Sequence, residues 1–90
     1  QELFNQGRQA LAEKDNPLAI KSLEMAVKLD PEHPVINLYA AQAIILYLEV
    51  YGWDEGYVNR ANRYLQRAEK SDQLHDNVVM LQQILDAIKT

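Results

Sequence analysis

In the stretch Asn16-Pro17-Leu18-Ala19-Ile20-Lys21-Ser22-Leu23-Glu24-Met25-Ala26-Val27-Lys28-Leu29-Asp30-Pro31, apolar side chains return at helical spacing between two breaks in the chain. Residues three and four apart share one face of a helix, so Ala19, Leu23, Ala26 and Val27 form an inner stripe. Asn16 is the expected N-cap, with Pro17 at the first helical position, where its missing N–H does no harm. Asp30-Pro31 closes the helix, because a residue before proline avoids the α region. The spacing therefore predicts a helix over 17–29. The arrangement returns downstream as Ala61-x3-Leu65-x2-Ala68. Small residues on either side of a large one let two helices approach closely, and such internal similarity is read before anything else.

Working outward, four more helices are expected. One covers 2–14, with Leu3, Gly7, Ala10 and Leu11 on one face. One covers 34–51 and ends at Gly52, before a tip loop of Trp53-Asp54-Glu55-Gly56. One covers 55–71, capped by Asp54, with Val58, Ala61, Leu65 and Ala68 turned inward. The last covers 76–89, with Val78, Leu81, Leu85 and Ile88 on one side. No apolar–polar alternation competes with these periods. The expected fold class is all-α, built from antiparallel helix hairpins, with about five helices in a single domain over residues 1–90.

Composition agrees with this class. The chain has 90 residues, 48% of them apolar, and only three glycines and three prolines. That is too few Gly and Pro for a loop-rich β-sandwich. The net charge is −4, which argues against duplex nucleic acid as a general partner, since phosphate neutralisation needs clustered cations. Without cysteine there are neither disulfides nor Cys metal sites. Residues 35–53 are mostly apolar, but Asn37, Gln42 and Glu49 interrupt them, so a buried core helix is expected there rather than membrane insertion. No basic start precedes an apolar run, so no secretory leader is expected. The chain opens on Gln1 and is read as a piece of a longer or processed protein. The expected compartment is the cytoplasm, with the periplasm left open.

Residues 1–33 resemble a tetratricopeptide repeat. That family reads W-x2-L-G-x2-Y and then A-x3-F-x2-A-x4-P over about 34 residues. Leu3, Gln6, Gly7 and Ala10 stand at the first four signature positions, and Ala19, Leu23, Ala26 and Pro31 at the last four; Gly7, Ala19, Ala26 and Pro31 are identical to it. The Leu29-Asp30-Pro31 ending fits as well. The second repeat, 34–74, departs from the pattern, with Asn37, Ala40, Ala41 and Ile44 where its opening signature should be. From Ala19 to Ala61 is 42 residues, eight beyond the family period of about 34. The resemblance therefore implies a lengthened second hairpin, projecting past the first repeat, with 75–90 as a capping helix of a tetratricopeptide-like α-solenoid. The runs Ala40–Ala43, Tyr51–Asp54 and Tyr64–Ala68 are similar to repeat segments that follow receiver domains in some bacterial response-regulator-like proteins. Repeat modules of bacterial cytochrome-maturation proteins also carry lengthened hairpins.

The resemblance further implies a concave groove that accepts a peptide or partner helix. Matched position by position, that face holds Phe4, Arg8, Leu11 and Ala12, then Val35, Leu38, Gln42, Ile45 and Glu49. The opposite stripe, Ala40, Ala41, Ile44, Tyr47, Leu48 and Tyr51, is expected in the core. Some members bind carboxylate tails through a Lys–Asn clamp; here Phe4, Arg8 and Tyr39 occupy the matching positions, so no such clamp is expected. The helix over 34–51 is apolar nearly all round, which calls for cover on every side. Either the fifth helix or a second molecule supplies it, and a homodimer is one expected arrangement.

A second candidate surface is basic. Arg60, Arg63, Arg67 and Lys70, spaced by three, four and three, share one stripe. It reads as a solvated outer face or as a dock for an acidic partner. Tyr47, Tyr51, Trp53, Tyr57 and Tyr64 are expected to fill space around the tip of the second hairpin. His33 and His75 have no partner at catalytic or metal spacing, and no Gly-rich phosphate loop is present. No catalytic residues, metal or cofactor are expected. The expected function is a protein-interaction scaffold, self-associating or holding a peptide. The alternative is a regulatory or output domain of a larger bacterial signalling protein.

Overall fold

The computed structural model of the chain describes residues 1–89. They form α1 (Glu2–Ala12), α2 (Asn16–Leu29), α3 (Pro34–Tyr51), α4 (Glu55–Ala68) and α5 (His75–Lys89), with one 3-10 turn at Asp72–Leu74. No strand occurs among the described residues, so the all-α expectation holds. Residue 90, the last of the expected capping segment, lies outside them.

Four helix ends differ from expectation, α5 by one residue, since it starts at His75 rather than 76, and the other three for local reasons. α1 stops at Ala12 instead of residue 14. Lys14 adopts a positive φ of 62°, the Asp15 N–H bonds back to Ala10 O at 2.8 Å and the Lys14 N–H to Leu11 O at 3.0 Å. This closure usually places glycine at the left-handed position. The bend also moves the cap of α2 by one residue. Asp15, not Asn16, stands before the helix, and its Oδ1 accepts from the Leu18 N–H at 3.3 Å. α4 ends at Ala68 rather than 71, where the Ser71 N–H turns back onto Ala68 O at 3.1 Å and leads into the 3-10 turn. Two other boundaries stand as read. Asp54 Oδ1 caps α4 through the Tyr57 N–H at 3.0 Å, and Gly52, at φ 94°, ends α3.

Lys14 holds a side chain in a backbone region that costs a non-glycine residue about 1 kcal/mol. Lys14→Gly is therefore expected to raise the unfolding free energy by about 0.5–1 kcal/mol and Tm by about 2–8 °C. A thermal melt showing no rise would mean that this turn carries no strain.

Each helix packs on its neighbour in sequence, and α3 touches α1, α2, α4 and α5. That central place explains why α3 is apolar on all sides. By length and composition alone Pro34–Tyr51 is apolar enough to cross a membrane, with mean hydropathy 1.3, yet half of it is buried inside this fold. The cover left open by the sequence is supplied here by α5, which packs on α3 and leaves Leu38 6% and Ile45 1% exposed. The small residues do what their spacing requires: Ala19, Ala26, Ala61 and Ala68 are fully buried. Gly7 lies so close to Leu23 that an added Cβ would overlap the leucine side chain.

One polar side chain is wholly enclosed. Asn37 Nδ2 donates to Pro31 O at 2.9 Å and to His33 O at 2.8 Å, tying the α2–α3 turn to the first turn of α3. Its Oδ1 has no hydrogen-bond partner among the described residues. Two aromatic expectations need correction. Tyr51 is exposed rather than in the core, although it stacks on Tyr47 at 4.6 Å. Tyr64 does not join the hairpin tip; it is buried midway along α4 and faces α2.

Candidate protein-interaction surfaces

Two grooves meet on α3. The first, of about 280 Å³, lies between α3 and α5 and is lined by Leu38, Gln42, Ile45, Leu46 and Glu49 on one side and Asn77, Met80, Leu81 and Ile84 on the other. The second, of about 550 Å³, runs from Leu11, Lys14, Asn16 and Pro17 to Leu46, Glu49, Val50 and Tyr51. Leu46 and Glu49 belong to both, so one trough crosses α3 between the end of α1 and α5.

Four residues of the expected α3 stripe, Leu38, Gln42, Ile45 and Glu49, line the trough, and Leu46 joins them. Gln42 and Glu49 line it, and both have side chains at the surface. Leu38 and Ile45 form its floor but are covered by α5 and offer almost no free area. Phe4, Arg8 and Val35 line neither groove. Phe4 instead packs edge-on against Tyr39 at 5.3 Å, with the Arg8 guanidinium 5.1 Å from its ring centroid and bonded to Asn5 Oδ1 at 3.4 Å. The accessible stripe is Gln42, Leu46, Glu49. Leu46 escaped the sequence reading although it stands four residues after Gln42 and three before Glu49, on the same face. Ile45→Glu would bury an unpaired carboxylate, so Leu46 is the position that probes this surface.

None of the known protein families, curated proteins or solved structures matches this chain. The functional reading therefore rests on the chain's own residues.

The basic stripe of α4 lies along α2, and half of it is already engaged. Arg60 Nη1 donates to Glu24 Oε1 at 3.0 Å and Oε2 at 3.2 Å, with its guanidinium 4.4 Å above the Tyr57 ring. The Tyr64 hydroxyl donates to Glu24 Oε2 at 2.7 Å. Lys70 Nζ meets Glu32 at 2.9 Å, and that bond, followed by the charges of Lys70 and Arg67, holds the Glu32 carboxyl below its usual range. Arg63 and Arg67 form no ion pair among the described residues. With Glu24, Val27, Lys28, Pro31 and Tyr64 they line a cleft of about 370 Å³ between α2 and α4.

Burial, then the hydrogen bond and charge of Glu24, push the Tyr64 phenol from 10.0 up to about 12. A raised folded-state value means that the native protein holds this proton more tightly than the unfolded chain does. The stabilisation is thus complete below about pH 10 and is lost as pH climbs through about 12. Tyr64→Phe is expected to flatten the alkaline limb of a stability–pH curve between those values. An unchanged limb would show that another group governs it.

The remaining polar groups serve the scaffold. His33 Nδ1 accepts from the Ile36 N–H at 3.4 Å and caps α3. Tyr47 also stacks on Tyr57 at 4.9 Å, and Trp53 Nε1 donates to Glu55 Oε2 at 2.8 Å. Among the described residues no three His, Asp or Glu side chains gather as a metal site would need.

Proposed function

We propose that this chain is a protein-interaction module of the tetratricopeptide kind, holding an apolar peptide or helix in the trough over α3. The observation that carries the reading is the arrangement of α1, α3 and α5. α3 touches both of the others, and between them stays open a trough floored by Leu38 and Ile45 and edged by Gln42, Leu46, Glu49 and Met80. Met80 is 53% exposed at its rim, and an adaptable thioether beside an apolar floor suits helix-in-groove recognition. A second copy of the chain is one candidate occupant, although burial by α5 already accounts for the apolar character of α3 without it.

The test is selection from a displayed peptide library. Selected sequences should carry apolar anchors three or four residues apart, and Leu46→Asp should weaken them at least about tenfold while leaving the circular-dichroism melt near that of the parent. Selections that yield nothing, or peptides indifferent to Leu46→Asp, would remove the trough as a binding site. Sedimentation across a dilution series separates self-association from binding of a foreign segment.

A further inference from the structure

We propose that the cleft between α2 and α4 is a second, independent docking site, and that its occupant is an extended acidic segment of a partner protein with carboxylates at alternate positions. The cleft shares no lining residue with the trough over α3. Five cations, Lys28, Arg60, Arg63, Arg67 and Lys70, face two carboxylates, Glu24 and Glu32, in and beside it. This patch is net positive on a chain whose total charge is −4, so the charge is concentrated here against the trend of the molecule.

The pairing is uneven along the cleft. Arg60–Glu24 closes one end at 3.0 Å and Lys70–Glu32 the other at 2.9 Å. Lys28, Arg63 and Arg67 stand between them with no ion pair among the described residues, over a floor that includes buried Val27 and Tyr64. The two end pairs engage the flanking cations and leave the middle to a ligand. Surface arginines aimed into an apolar-floored cleft favour carboxylates, which accept both guanidinium N–H groups at once.

An extended ligand fits the spacing of the open arginines. Arg63 and Arg67 are four residues apart, about 6 Å along the helix axis. In an extended strand, side chains on one face recur every second residue, about 6.7 Å apart. An acid-x-acid segment laid along α4 therefore meets one arginine with each carboxylate, and Lys28 approaches from the α2 wall. A nucleic acid fits less well. The surrounding acidic surface repels a long polyanion, and the one ring on the cleft floor, Tyr64, is buried and bonded to Glu24, so it offers no stacking face.

The experiment is an NMR titration of the full chain, at about 50 mM salt, where exposed charges still act across a Debye length. The probe is a peptide carrying Glu-Gly-Glu-Gly-Glu; its Gln counterpart, inorganic phosphate and a single-stranded oligonucleotide of equal charge are the controls. The Glu peptide should shift the amides of α2 and α4 and the Arg63 and Arg67 side chains, saturating between about 0.1 and 1 mM. Arg63→Glu with Arg67→Glu should weaken it at least about fivefold, Arg63→Gln with Arg67→Gln by less, and Leu46→Asp not at all. Shifts confined to the trough, an equal response to the Gln peptide, or indifference to the charge reversal would overturn the proposal. So would tighter binding of phosphate or of the oligonucleotide. Because Leu46→Asp and the arginine changes strike different surfaces, failure of this site leaves the trough reading standing, and the reverse.

Discussion

Leu23→Ala is expected to lower the unfolding free energy by about 3–4 kcal/mol and Tm by about 12–32 °C. Leu23 is wholly buried and lies against Gly7 of α1, and its loss removes transfer free energy and leaves a void that backbone helices cannot close. Against a total of about 5–13 kcal/mol for a domain of this size, that is a large fraction. The glycine across from it sharpens the test. Gly7→Ala alone gains about 1 kcal/mol of helix propensity but drives a methyl group into Leu23, and overpacking of this sort costs about 1–3 kcal/mol. Its net effect in the parent is therefore a loss. In the Leu23→Ala background the obstruction is gone and the new methyl fills part of the void, so Gly7→Ala should stabilise. Urea unfolding of the four proteins, at constant m, measures this reversal of sign. Strict additivity would mean that the two residues do not meet.

The second large effect is expected from Asn37→Asp. The amide nitrogen of Asn37 donates to two carbonyl oxygens, at 2.9 and 2.8 Å, in a fully enclosed position. A carboxylate there turns two attractions into two repulsions and carries a buried charge without a partner, a change worth about 3–5 kcal/mol. The acid form can still donate once. The folded state thus prefers the protonated carboxyl, and its value rises above the usual carboxylate figure of about 3.9. The variant should be least damaged in acid and lose stability as pH rises above about 4, opposite to the trend of a salt-bridged aspartate. Asn37→Leu removes the repulsion but leaves Pro31 O without its donor, so it should fall between parent and Asp and show no such pH slope. Equal melts for all three proteins at pH 7 would mean that the α2–α3 turn does not depend on this side chain.

The helices were legible because their signals are local. Apolar stripes, Pro17 and Pro34 at helix starts, Asp54 as a cap and Gly52 as a stop each act within one or two turns. The four alanines of the repeated pattern are buried as their spacing demands. The misplaced cap of α2 shows where local reading slips: Asn16 is as good a capping residue as Asp15, and only the left-handed turn at Lys14 decides between them.

The surfaces were less legible because they depend on contacts far apart in sequence. Whether Leu38 or Leu46 faces outward is settled by where α5 lies on α3, a choice that the period of α3 cannot encode, since that helix is apolar on nearly every side. The stripe of Arg60, Arg63, Arg67 and Lys70 was visible as a stripe. Its division into engaged and open cations was not, because Arg60 finds Glu24 across 36 residues and Lys70 finds Glu32 across 38. Nothing in the local sequence of α4 marks those partners.

The central position of α3 bears on how the chain is made. A ribosome releases α1 and α2 before any of α3 has emerged, so the flank of α2 that packs on α3 stays wet until residues 34–51 arrive to cover it. α3 in turn shows its own apolar flank until α5 follows. Premature termination anywhere between leaves a sticky intermediate instead of a smaller folded unit. Cutting the gene down hairpin by hairpin should thus yield aggregates or protease-sensitive fragments, where an array of self-sufficient units would shrink gracefully.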